Sequence, residues 1–107
     1  MVIERFAVFL VSLDPVVGVE TSKTRPCVVV SPDDMNAALG TVIIAPMTTV
    51  RRHWPTRPEL TFQGKTGEIA LDQLRAVDKS RLVKRLGKLP KGMATGVLET
   101  LAEMFAP

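Results

Sequence analysis

The chain has 107 residues, 46% hydrophobic and 23% charged, proportions of a globular chain rather than a disordered one. Its length fits a single domain spanning residues 1–107. The longest apolar run, Phe6 to Val11, is far short of the roughly 20 residues of a membrane-spanning helix. The start of the chain, with Glu4 beside Arg5, lacks the basic head and longer apolar stretch of a secretory signal, so the expected location is the cytoplasm, with no membrane partner. One cysteine, Cys27, and one histidine, His53, exclude an internal disulfide and a Cys/His zinc cage, and no metal or other cofactor is expected. The net charge of +3 is unevenly spread. Residues 75–91 hold Arg75, Lys79, Arg81, Lys84, Arg85, Lys88 and Lys91 against Asp78 alone, and a second cluster joins Arg51, Arg52 and Arg57 to His53 and Trp54. A basic run of this kind is either a solvated face or a surface for polyanions.

In chain order, residues 5–13 are apolar at nearly every position and rich in Phe and Val, the pattern of a central strand covered on both faces. Asp14 and Pro15 end it, and residues 14–24, with Gly18 and no period, read as a long loop. Residues 26–31 form a short β-branched strand. Ser31 then caps a short helix that has Pro32 at its first position and closes at Gly40. Residues 41–47 form a buried strand in which Pro46, lacking a backbone donor, favours an edge or a bulge. The basic loop 50–57 follows. In 58–62, Leu60 and Phe62 alternate inward with Glu59 and Thr61 outward. Gln63 to Gly67 supply a turn, and an alternating run from Glu68 to Val77 completes a hairpin. Asp78 caps a helical turn ending near Leu82, and residues 83–89 form a short last strand. Pro90 opens a helix in which Met93, Val97, Leu101 and Met104 recur at helical spacing, flanked by Leu98 and Phe105. That stripe reads as core or as dimer surface rather than a cofactor box.

Templates built on a metal cluster, a Ser/His/Asp order or a Gly-rich phosphate loop find no match. His53 can reach a phosphate from a surface loop, but no second histidine exists for paired acid and base work. Cys27, inside a β-branched strand, reads as buried and inert. Trp54 among arginines suits nucleic acid, because indole faces stack on bases and guanidinium groups hold phosphate.

The run Leu13-Asp14-Pro15-Val16-Val17-Gly18-Val19-Glu20, followed by Lys23-Thr24-Arg25-Pro26 and a β-branched strand, resembles the opening of the MazF/PemK toxin family of endoribonucleases. Ser31-Pro32 with Asn36, the strand ending Ala45-Pro46-Met47-Thr48-Thr49, and the block Leu71-Asp72-Gln73-Leu74-Arg75-Ala76-Val77-Asp78 are similar to later family motifs in the same order. One departure stands out. Where the family usually begins its first strand with Arg-Gly-Asp or Arg-Gly-Glu, this chain has Arg5-Phe6-Ala7, a change that bears on strand-end geometry more than on chemistry.

The resemblance implies an α+β fold that is mainly β: a small, SH3-like, curled antiparallel sheet or barrel with a C-terminal helix, related to the CcdB gyrase poisons and assembled as a homodimer. It implies sequence-specific, metal-independent cleavage of single-stranded RNA, and a cognate antitoxin of the MazE kind with an acidic, disordered tail. Arg25 and Thr48 match the family's catalytic pair. Arg25 would hold phosphate oxygens as charge builds on phosphorus, and Thr48 would add a hydroxyl hydrogen bond. For Arg25 the alternative is a surface ion pair with Glu20; for Thr48, an ordinary strand-end hydroxyl. Glu20 matches a family acid that orients Arg25 or accepts a proton, with a solvated carboxylate as the alternative. Gln73 matches a position that contacts a base or the RNA backbone, or is structural, and strand alternation sets it beside Ile69, Leu71 and Arg75. Lys23, Thr24, Thr49, Arg51, Arg52, His53, Trp54 and Arg57 complete the expected RNA-binding set. A gyrase poison or a non-catalytic nucleic-acid-binding module on the same fold is the competing function, and the Arg25 and Thr48 pair favours the nuclease.

Overall fold

The computed structural model describes residues 1–13 and 23–107. Most of the expected loop 14–24, Glu20 included, lies outside the described residues. The remainder forms an antiparallel sheet of seven strands that curls on itself, with a C-terminal helix against one face. This is the architecture the resemblance implies.

Strand β1 (Ala7–Ser12) takes its interior place because its residues are apolar on both faces. It lies between β2 (Thr24–Val29) and β7 (Leu82–Lys88). Phe9 and Val11 join Cys27, Val29, Val42, Ile44 and Val77 in a core on one side of the sheet. Val8 joins Val28, Ala45, Leu60, Ile69 and Val97 on the other. The short helix α1 (Asp33–Ala38) has Pro32 as its N-cap, without a side-chain cap. Ser31 does not cap it. Its hydroxyl donates to Asn36 Oδ1 and accepts the Ile43 N–H at 3.0 Å, while Asn36 Nδ2 donates to the carbonyls of Ile3 and Ser31. These groups are buried, so each must find a partner inside the protein, and they join the N-terminus, α1 and the next strand.

That strand, β3 (Thr41–Thr48), is the hub. It pairs with β2 on one edge. On the other it pairs first with β6 (Arg75–Asp78), through Thr41 to Ile44, and then with β5 (Lys65–Ile69), through Met47 and Thr48. Of the edge or bulge expected at Pro46, the edge is therefore corrected, since β3 has partners on both sides. Its carbonyl accepts the Ala70 N–H at 2.8 Å, so its missing N–H faces the gap where β3 changes partner.

The hairpin is β4 (Glu59–Phe62) with β5, and its turn is shorter than expected. Gln63 and Gly64 alone form it, both at positive φ, the geometry of a two-residue hairpin turn matched to strand twist. The run 68–77 is not one strand. A 3-10 turn, Leu71–Gln73, separates β5 from β6, so Gln73 does not share a strand face with Ile69, Leu71 and Arg75. Asp78 does cap the next 3-10 turn, accepting the Ser80 N–H at 2.8 Å. Helix α2 (Lys91–Met104) buries Ala94 and Val97 and packs Met93, Leu101 and Met104 on the sheet, as its period requires, while Phe105 just beyond it is exposed.

Gly67 marks a close approach of β5 to β3. A Cβ there would stand 2.2 Å from the Thr48 carbonyl oxygen. Gly67→Ala is expected to lower unfolding free energy by about 1–3 kcal/mol, the usual cost of overpacking against backbone. Urea denaturation checks it, and an unchanged midpoint would mean that the crossing relaxes freely.

Candidate active site

The β2–β3 register sets Cys27 opposite Pro46, with Arg25 near the start of β2 and Thr48 at the end of β3, both beyond that pair at the same end of the ladder. Both line one cavity of about 250 Å³, with Pro26, Met47, Leu60, Phe62 and Leu86 as apolar lining and Thr49, Gln63, Lys65 and Thr66 as polar lining. Thr48 Oγ1 accepts the Val50 N–H at 3.1 Å, which fixes the rotamer and leaves the O–H as a donor. The site thus combines a guanidinium, a hydroxyl and a half-buried strand end. Below it, burial pushes the Cys27 thiol up to about 12 against the opposing pull of Arg25 and Arg75, so the thiol is inert as expected.

The basic loop is anchored by a residue that the sequence did not single out. Glu68 lies opposite Thr48 in the β3–β5 register and is 1% exposed. Its Oε1 accepts the Arg52 N–H and its Oε2 the His53 N–H, each at 2.9 Å. These bonds hold His53 in the left-handed region, at φ 57°. Arg51 is ion-paired with Glu59, and its buried Nε stands 3.6 Å from Glu68 Oε2, too far for a hydrogen bond. Burial alone would raise the Glu68 pKa. The two backbone N–H groups, with electrostatic attraction from His53 and Arg51, outweigh it and hold the carboxyl below its ordinary value.

Arg57, expected on RNA, is instead directed inward. Its Nε donates to Asp72 Oδ1 at 2.6 Å and its Nη2 to Oδ2 at 3.0 Å. The Arg57 hydrogen bonds hold the Asp72 carboxyl below its usual range and in turn raise the arginine. Trp54, 49% exposed, lies beside this pair. Lys23 and Thr24 are exposed just before Arg25, Thr49 is exposed beside Thr48, and Gln73 is half-buried in its 3-10 turn. Of the basic run 75–91, Arg75 and Arg81 donate to the Leu13 and Ser12 carbonyls, while Arg85 and Lys88 face Glu4. Much of that run therefore ties β1 and the N-terminus to the sheet. Among the described residues, no group of three or more His, Cys, Asp or Glu could hold a metal ion. No helix among them is long and apolar enough to cross a membrane.

Glu68→Gln keeps the side-chain volume but sets an amide N–H against a backbone N–H, so about 1–3 kcal/mol of stability should be lost at neutral pH. Because the folded pKa is depressed, the carboxylate's contribution is complete above the unfolded value near 4.3 and fades as pH falls through the folded one. The stability gap between wild type and Glu68→Gln is expected to narrow between neutral pH and about pH 3, as measured by urea denaturation at both.

A family model described as PemK-like, MazF-like toxin of type II toxin-antitoxin system matches residues 4–105. Endoribonuclease PemK of Escherichia coli is 33% identical over 95% of this chain and 81% of its own length. Endoribonuclease EndoA of Bacillus subtilis is 32% identical over 94% of this chain and 92% of its own. In fold, the chain matches MazF of Deinococcus radiodurans with a TM-score of 0.85 at 24% identity, over 97% of this chain and 96% of that one. It also matches a mycobacterial endoribonuclease in complex with its cognate antitoxin, with a TM-score of 0.83 at 22% identity, over 98% and 97%. The sheet, the site at the mouth of β2 and β3, and these likenesses agree: the chain belongs to the PemK-like, MazF-like family of toxins from type II toxin-antitoxin systems.

Proposed function

We propose that this protein is the endoribonuclease toxin of a type II toxin-antitoxin pair and that it cleaves single-stranded RNA at short sequence motifs. The observation that carries the reading is the likeness, over nearly the whole chain, to two relatives named endoribonucleases, which favours a nuclease over a gyrase poison or a silent binding module. In the proposed reaction the RNA 2′-hydroxyl loses its proton and attacks the adjacent phosphorus. The bond to the 5′-oxygen then breaks and that oxygen takes up a proton in place of the one lost, leaving a 2′,3′-cyclic phosphate and a 5′-hydroxyl. Negative charge grows on the phosphoryl oxygens along the way. Arg25 presents two or more N–H donors to those oxygens, and Thr48 adds one from its O–H. Because the planar guanidinium offers a fork of donors that matches phosphate oxygens, the larger proposed contribution of Arg25 is charge stabilisation. Glu20 is the proposed group for orienting Arg25 or taking the proton. Lys23, Thr24, Thr49 and Gln73 are proposed RNA contacts at the edge of the same site.

The proposed partners are RNA, a second copy of the chain, and a cognate antitoxin with an acidic tail, in the cytoplasm. The structural neighbour bound to its antitoxin supports the last partner. Arg51 and Arg57 already carry Glu59 and Asp72, so attraction of an acidic tail to this loop falls mainly to Arg52.

Purified protein is expected to cut a long RNA in EDTA, leaving cyclic phosphate ends. Arg25→Ala should slow cutting by about a hundredfold or more with the fold retained, and Thr48→Val by less. End mapping and single-turnover rates check both, and an unchanged rate for Arg25→Ala would return that residue to the ion-pair reading. Light scattering at micromolar concentration should give the mass of a dimer; a monomer would remove the second copy from the assembly.

A further inference from the structure

We propose that Trp54 is a preorganised platform on which one unpaired nucleobase of the RNA stacks, with Arg57 and Asp72 as the pedestal that holds the indole. The inference rests on the endoribonuclease reading and names a recognition subsite for it. A single exposed aromatic ring is common on protein surfaces and by itself means nothing. This ring is held from several directions. The Arg57 guanidinium carbon lies 4.9 Å from its centroid and that of Arg52 5.8 Å. Arg57 is 8% exposed and cannot swing away, because both oxygens of Asp72 grip it and Thr56 Oγ1 donates to Asp72 Oδ1 at 3.1 Å. The backbone is fixed on both sides as well. Glu68 holds the N–H groups of the two residues before Trp54, and the Trp54 carbonyl accepts the Arg57 N–H at 3.0 Å.

A guanidinium committed to a carboxylate in this way is a poor phosphate ligand, since RNA would have to displace Asp72. It is well suited to fixing and polarising an aromatic face. Arg52, exposed and in no ion pair among the described residues, can take the phosphate of the stacked nucleotide. The loop begins directly after Thr48 and Thr49, and its anchor Glu68 lies opposite Thr48 in the β3–β5 register, which ties the platform to the strand end that carries the candidate site. Every nucleobase has a stacking face, and a positively framed indole therefore fits an unpaired base better than an apolar side chain.

Trp54 is the only tryptophan in the chain, so its emission reports on this subsite alone. The intact protein is titrated with a 2′-O-methyl oligoadenylate, which lacks the attacking hydroxyl, and with an abasic phosphodiester strand of the same length. Saturable quenching by the first and not by the second is the expected result; equal response to both overturns the platform. With cleavable RNA, Trp54→Ala should raise KM about tenfold, the scale of one lost stack, and lower kcat far less, with Trp54→Phe restoring most of the loss. Asp72→Asn, which leaves the ring in place but loosens its pedestal, should move KM in the same direction. An unchanged KM for Trp54→Ala, or a loss confined to antitoxin affinity, overturns the proposal and makes the ring a protein-docking surface. If no RNA is cut at all, the endoribonuclease reading fails while the fluorescence titration still decides whether bases stack on Trp54.

Discussion

The arrangement of this site depends on a carboxylate buried where two strands cross. Glu68 sits opposite Thr48, and a buried anion must gather donors or lose its charge. The donors it gathers are the backbone N–H groups of Arg52 and His53, so a loop rich in like charges is drawn onto the sheet rather than repelled into solvent. Gly67, one residue earlier, lets the β5 backbone approach the Thr48 carbonyl closely enough for that contact. Two adjacent residues therefore place both the hydroxyl expected at the reacting phosphate and the loop expected on the bases.

Local periodicity made much of the fold legible. The unbroken apolar run of β1, the inward Leu60 and Phe62, the Asp78 cap and the helical stripe of α2 all stand where pattern alone sets them, because each depends on neighbours within one turn or one strand. What the pattern concealed depends on contacts distant in sequence. Residues 68–77 alternate well enough to read as one strand, yet the chain breaks at Leu71–Gln73 because β3 offers it two successive partner positions on one edge. Ser31 has the chemistry of a helix cap, but the buried amide of Asn36 and the N–H of Ile43 compete for its hydroxyl and win.

The candidate site divides along the same line. Arg25 and Thr48 could be paired from motif order, and adjacent strands bring them to one cavity. Glu68 and Asp72 could not, since each acts on residues about fifteen positions earlier in the chain. A hint was nonetheless present: a loop with three arginines and a histidine in seven residues calls for an acid nearby if it is to hold one shape. Arg57 shows how a basic cluster misleads when counted by charge alone. Once paired with Asp72 it contributes packing and orientation, and the field that reaches solvent comes from fewer cations than the sequence contains.

A division of labour follows from where the anchors lie. The groups expected to stabilise charge on phosphorus stand on adjacent strands, whose positions are set by backbone hydrogen bonds and two apolar cores. Those expected to read the bases stand on a loop held at its base by Glu68 and toward its end by Asp72. Between those points the side chains at Arg52, His53 and Trp54 are exposed and bear on the loop rather than on the cores. Their replacement would change what the loop presents without moving Arg25 or Thr48, provided the two carboxylates keep their donors. Cleavage chemistry and sequence preference are thus separable on one small sheet, because the contacts that fix the catalytic strands are not those that shape the recognition loop.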